Sequence, residues 1–308
     1  MELPFLRWLR ETIPAAPHVA IGIGDDAALL HQQTGKQTVV TTDMLMEGTD
    51  FILPDCGAAS AGRKALAVNL SDLAAMGAKP VAAFVSIAVS KQNGDEAALA
   101  IAKQLFAGLL PLAAEFECAI AGGDTNSWSS PLVISVTAIG EVAVGRAWLR
   151  SGARPGDAIL VTGTFGRSIE GKHLSFTPRV REAQQLQALD VEVHAAIDVS
   201  DGLSLDLSRI CAASNCGAQV ELGRIPLSRE TMDHCDKDFA AAWQHALLDG
   251  EDFELILAVP PHEAERLLRD QPLDVALAQI GWFTAEPGLT QRLPSGEVLP
   301  LQPQGYEH

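Results

Sequence analysis

Lysine and arginine are scarce in this chain, 22 against 39 aspartates and glutamates, and the formal charge is -17. So acidic a surface argues against sequence-independent nucleic-acid binding, which needs cations to neutralise phosphates, and equally against docking on an anionic membrane. Aromatic residues are only 5% of the chain, so its core must be aliphatic. The five cysteines form no CxxC pair and no Cys/His zinc spacing, which points to a reducing compartment. No apolar run is expected to reach the roughly 18 residues of a membrane span, and no basic segment followed by an apolar one opens the chain. A cytoplasmic protein without a membrane span is the expectation.

What is present is enough for a sizeable core: 308 residues, 47% hydrophobic and 20% charged. That length predicts two domains, at 1–145 and 146–308. Val- and Thr-rich or apolar runs predict strands over 37–42, 81–89, 118–121 and 131–142, and helical spacing predicts helices over 62–77 and 95–117. In the second half, strands are expected over 158–162, 195–197, 219–222 and 254–259. Helices follow from Leu203 and over 262–269, with a polar stretch over 167–192. Strands and helices intermix in both halves, as in an α/β or α+β fold.

Seven acidic or Gly-acidic clusters punctuate these elements: Gly24-Asp25-Asp26, Thr41-Thr42-Asp43, Ser71-Asp72, Gly123-Asp124, Asp198, Ser200-Asp201 and Gly250-Glu251-Asp252. Singly, each reads as a cap or turn. Together they place carboxylates repeatedly at strand ends beside hydroxyls, a hard-oxygen set suited to Mg2+ and, through Mg2+, to phosphate. Gly22-Ile23-Gly24 lacks the third glycine of a dinucleotide loop and carries Asp25 and Asp26 where phosphate would approach. There is no Walker A loop either. Arg150, at the expected domain boundary, is either a solvated arginine or a guanidinium that grips nucleotide phosphate.

In order along nearly the whole chain, Gly22 to Ala28, Thr41-Thr42-Asp43, the run from Lys64 through Asn69-Leu70-Ser71-Asp72 to Ala78, Gly122 to Thr125, Arg150-Ser151-Gly152, Ala196 to Gly202 and Gly250-Glu251-Asp252 resemble the thiamine-monophosphate kinase family. The resemblance implies a two-domain, synthetase-like α/β (α+β) fold of the aminoimidazole ribonucleotide synthetase superfamily. Its N-terminal mixed sheet would form a barrel across a homodimer, beside a C-terminal α+β domain. It implies ATP-dependent phosphorylation of thiamine phosphate to thiamine diphosphate, by direct in-line transfer, with several Mg2+ ions and no catalytic side chain. Carried over by position, Asp26, Thr41, Thr42, Asp43, Asp72, Asp124, Asp198 and Asp201 are metal ligands. Gly123, Asp124, Arg150 and Ser200 contact ATP, and Asp50, Glu251 and Tyr306 face the acceptor.

The chain departs from the family pattern where Asp50 stands in place of a histidine, in a shortened stretch over 163–195, and in lacking the family's closing Phe. Two other readings therefore stay open: an ATP-dependent enzyme of the superfamily with a different small acceptor, and a nucleotide- or metal-binding chain without catalysis.

Overall fold

Two larger sheets, of four and seven strands, and a two-stranded one organise the described residues. The computed structural model describes residues 5, 8–9, 11–14, 16–17, 19–21, 29–30 and 33–306. It divides into one unit of residues 1–73 and 78–146 and another of 74–77 and 147–308. The loop with Gly24, Asp25 and Asp26 lies outside the described residues.

In the first unit the short strands β1 (Val19–Ile21) and β2 (Leu29–Leu30) pair antiparallel. Then follow β3 (Lys36–Met46), α1 (Leu53–Ala75), β4 (Lys79–Ser90), α2 (Gly94–Glu115), β5 (Ala119–Trp128) and β6 (Val133–Ala143). Their sheet has the order β3-β6-β4-β5, antiparallel except for the parallel pair β4 and β5. Parallel neighbours need a long crossover, and α2 supplies it.

The strand expected to stop at Thr42 continues to Met46, so Asp43 sits within β3 rather than at its end. The helix expected from Gly62 begins at Leu53 and is interrupted at Gly57, where φ is 74° and ψ 158°. Leu66, Leu70, Leu73, Leu105 and Leu109 are fully buried, each contributing about 2 kcal/mol by leaving water. Contrary to the sequence expectation, α2 is long and apolar enough by composition to cross a membrane. Its Ala98, Ala102, Leu105, Phe106, Leu109 and Leu112 are instead buried in a helix that packs on β4 and β5.

The second unit comprises β7 (Ala158–Thr162), α3 (Lys172–Ser175), α4 (Val180–Ala188), β8 (Ala195–Asp198), α5 (Leu203–Ser214) and β9 (Gly217–Glu221). It continues with α6 (Arg229–His234), α7 (Phe239–Leu248), β10 (Leu255–Val259), α8 (Pro261–Asp270), β11 (Leu277–Thr284), β12 (Gly288–Arg292) and β13 (Val298–Leu301). Seven strands line up as β13-β12-β9-β11-β7-β10-β8, with only β12 and β9 parallel. Every residue of β7, β8 and β10 is buried, which accounts for their continuous apolar sequence.

Candidate active site

In the first unit, the strand and the helix named by the sequence bring their acids together. Thr41 Oγ1 donates to Asp72 Oδ2 at 2.5 Å, tying β3 to the last turns of α1. Asp43, two residues along and thus on the same side of β3, is half-buried beside this pair. Its Oδ2 is buried and has no hydrogen-bond partner among the described residues. Burial, then the charges of Asp72 and Asp50, raise its carboxyl from 3.8 to about 7. An acceptor-only oxygen, buried and beside two further carboxylates, is the environment a hard divalent cation relieves. Among the described residues no three His, Cys, Asp or Glu side chains close to coordinating geometry. The donor chemistry of Thr41, Asp43 and Asp72 nonetheless fits Mg2+.

Thr42, Asp124 and Gly123 stand apart from this cluster, while Asp50 borders it. Thr42 is exposed, with its hydroxyl 3.2 Å from the Val136 carbonyl and 3.0 Å from Thr137 Oγ1. Asp124 is exposed on the edge strand β5 in register with Ser86, and its Oδ1 accepts the Thr125 N–H at 2.9 Å. Beside it, a Cβ at Gly123 would lie 1.9 Å from the Val85 carbonyl oxygen, so only glycine fits. Asp50 takes the Met46 N–H on its carboxylate at 2.6 Å, while its carbonyl accepts from Lys64 Nζ at 2.7 Å. Lys64 is fully buried and went unnoticed in the sequence, because a lysine within an apolar helix face reads as a surface residue. Asn69 is buried and donates back to the Ala65 carbonyl at 3.0 Å.

In the second unit, backbone bonds gather three distant segments. Asp198 is buried at the end of β8, and the turn after it runs through Ser200 and Asp201. The Ser200 carbonyl accepts the Glu251 N–H at 2.7 Å, and Val199 exchanges bonds with Phe253 and Glu254 at 2.8 Å each. The Asp201 carbonyl accepts the Tyr306 N–H at 2.9 Å. A Cβ on Gly305 would lie 2.1 Å from that same carbonyl oxygen, so the tail approaches as closely as a backbone can. The Tyr306 side chain is half exposed.

Asp201 is already answered by a cation, for Arg209 Nη2 lies 2.5 Å from its Oδ2. The buried Asp206 accepts the N–H groups of Asp201 and Gly202 at 2.9 and 3.2 Å and pairs with Arg209. Burial nevertheless lifts its carboxyl to about 6. Arg150 is exposed, in a turn fastened by Ser214 Oγ, which accepts from Gly152 and Ala153 at 3.1 Å each.

The loop bearing Glu251 is held by groups that the sequence reading passed over as a polar stretch. Glu254, 1% exposed, accepts both Nε and Nη2 of Arg179 at 2.6 Å each, Thr162 Oγ1 at 2.8 Å and Lys172 Nζ at 3.2 Å. The neighbouring Asp252 accepts the Gly166 N–H at 3.2 Å, and burial raises its carboxyl to about 8. His173 Nδ1 lies 2.7 Å from Glu251 Oε2.

Comparison with known proteins gives the family of the chain. Residues 24–142 match the model of the AIR synthase related protein, N-terminal domain, and residues 154–293 that of the corresponding C-terminal domain. A thiamine-monophosphate kinase of Rhodopirellula baltica is 41% identical, over 100% of this chain and 97% of that protein. The crystal structure of a thiamine-monophosphate kinase from Stenotrophomonas maltophilia is 34% identical, with a TM-score of 0.78 and 96% of each chain covered. AaThiL complexed with AMPPCP and TMP is 25% identical, with a TM-score of 0.76 over 100% of this chain and 96% of that one.

Proposed function

Because the chain belongs to the thiamine-monophosphate kinase family, we propose that it transfers the γ-phosphoryl group of ATP to thiamine phosphate, giving thiamine diphosphate and ADP. Within this chain, the observation that carries the reading is the convergence of Ser200-Asp201, Glu251 and Tyr306 through the 2.7 and 2.9 Å backbone bonds. Those bonds bring into one loop cluster the positions that we assign to the nucleotide and to the acceptor.

The acceptor phosphate is already a nucleophile at neutral pH, so in-line transfer needs no general base, only positioning and relief of charge repulsion. In the first unit Thr41, Asp43 and Asp72, with Asp26, Thr42 and Asp124, would hold Mg2+, and in the second Asp198 and Asp201 would do so. Bound there, Mg2+ supplies the positive charge that offsets repulsion between the two polyanions. The buried, unpartnered oxygen of Asp43 supports that assignment. Gly123, Asp124, Arg150 and Ser200 take the nucleotide side. The absence of a side chain at Gly123 lets backbone approach phosphate, and Arg150 adds a forked cation. Asp50, Glu251 and Tyr306 take the acceptor side.

A homodimer through the four-stranded sheet completes the reading. Val40 and Met44, each 60% exposed, and Met46, 44% exposed, form an apolar row along β3. Light scattering on the purified chain measures that state.

The deciding experiment is an assay of ADP and thiamine diphosphate formation from ATP, thiamine phosphate and Mg2+. Thiamine diphosphate in step with ADP supports the proposal. ATP turnover only with a different acceptor, or nucleotide binding without turnover, overturns it.

A further inference from the structure

Between Lys172 and Arg179 the chain mirrors the loop 251–254 residue by residue. His173 meets Glu251, and Lys172 Nζ lies 4.0 Å from Asp252 and 3.2 Å from Glu254. The Phe176 ring stacks on Phe253 with centroids 4.1 Å apart and planes 12° from parallel, and Arg179 grips Glu254. Three of these four matches bind residues whose side chains are buried at Asp252, Phe253 and Glu254 and serve the core. The fourth is different. Glu251 and Phe253 both have a left-handed backbone, φ 63° and 51°, but of the four loop residues Glu251 keeps the most exposed side chain, at 21%. His173 is itself largely buried, its side chain 10% exposed, so the imidazole is fixed by packing before it meets the carboxylate.

We propose that His173 is a positioning residue that determines how tightly the acceptor is held: its Nδ1 fixes the rotamer of Glu251, so that the carboxylate is presented to the acceptor already ordered. The inference rests on the reading that Glu251 faces thiamine phosphate. A glutamate side chain has three rotatable bonds, and immobilising it before binding removes an entropic cost from the binding step. The backbone of Glu251 is already fastened by its N–H to the Ser200 carbonyl at 2.7 Å. His173 Nδ1, at ion-pair distance from the buried Oε2 rather than in hydrogen-bond alignment, extends this order to the side-chain tip. Its effect therefore falls on acceptor affinity, not on the ATP side and not on the transfer step.

The test is steady-state kinetics with ATP, thiamine phosphate and Mg2+ on the full chain and on His173→Ala, His173→Asn and His173→Gln, with thermal melts of each. An asparagine amide nitrogen occupies about the place of Nδ1, whereas glutamine puts its amide where Nε2 was. His173→Ala and His173→Gln should raise the KM for thiamine phosphate by about tenfold, with kcat and the KM for ATP within about twofold of the parent. His173→Asn should stay within about threefold of the parent. Because the two residues act as one unit, His173→Ala added to Glu251→Gln should raise that KM no further than Glu251→Gln alone.

An unshifted KM for thiamine phosphate in His173→Ala, beside normal turnover by the parent, overturns this inference alone. So does a parallel rise in both KM values, or fully additive effects in the double variant. A parent chain that turns over ATP only with another acceptor overturns the proposed function and this inference together. If His173→Ala fails to fold, the contrast between the Asn and Gln variants decides.

Discussion

Thr41 Oγ1 and Asp72 Oδ2, 2.5 Å apart, join a strand to a helix 31 residues further along the chain. The hydroxyl takes one lone pair of Asp72 and so orients the carboxylate beside Asp43. Replacing Asp72 by Asn keeps the shape and removes the charge. Turnover should fall by about a hundredfold or more while the melting temperature holds. Thr41→Val removes only the orienting bond, and its effect should be a several-fold higher Mg2+ requirement. Activity titrations against Mg2+ check both, and near-normal turnover by Asp72→Asn would sink the shared-cation model.

Asp43 makes stability depend on pH. Its carboxyl is raised from 3.8 to about 7, so between those values the folded chain holds a proton that the unfolded chain has released. This group's contribution to stability is fully present below about pH 4 and is lost as the pH rises through 7. In chelator-treated protein, Asp43→Asn should therefore be more stable than the parent at pH 8, by on the order of 2 kcal/mol after discounting for partial exposure. The difference should vanish towards pH 4. Thermal melts across that range measure it, and a gap independent of pH contradicts the assignment.

Glu254 should prove structural. Arg179→Met leaves a carboxylate that is 1% exposed without its two 2.6 Å partners, and the expected loss of stability is about 3 kcal/mol. Arg179→Lys restores the charge without the fork and should recover only part of it. Denaturant titration gives both values.

Gly305 tests the docking of the tail. Gly305→Ala puts a methyl 2.1 Å from the Asp201 carbonyl oxygen, which cannot be accommodated without lifting the tail. Protease should then cut near Tyr306 sooner, and the KM for thiamine phosphate should rise several-fold with that for ATP unchanged. Unaltered proteolysis would show that the approach is looser than described.

The parts of this site that were legible in the sequence are those that follow local rules. The Val- and Thr-rich run into Asp43, the helix carrying Asp72, and the Asp198 to Gly202 turn all declared themselves by period and turn chemistry. Lys64, His173, Arg179 and Glu254 did not, because their meaning comes from partners 14 to 92 residues away, which no local pattern encodes. The strands over 277–301 were missed for a related reason. A register irregularity between Gln279 and Gly281 breaks the alternation of β11, β12 is short and largely polar, and β13 is only four residues long with a proline inside it. Helix α4 hid in a polar stretch because its inward face is only Val180, Glu182, Ala183 and Leu186.

The loop from Glu251 to Glu254 assigns neighbouring positions to different duties: the first keeps part of its side chain exposed, and the next three are buried. That division sets the terms for redesign. A library that randomises 250–254 as a block will return mainly insoluble clones, because three of its five positions answer to the interior. A library confined to positions 251 and 173, sampled as a pair, leaves positions 252 to 254 untouched and varies only the contact proposed to face the acceptor.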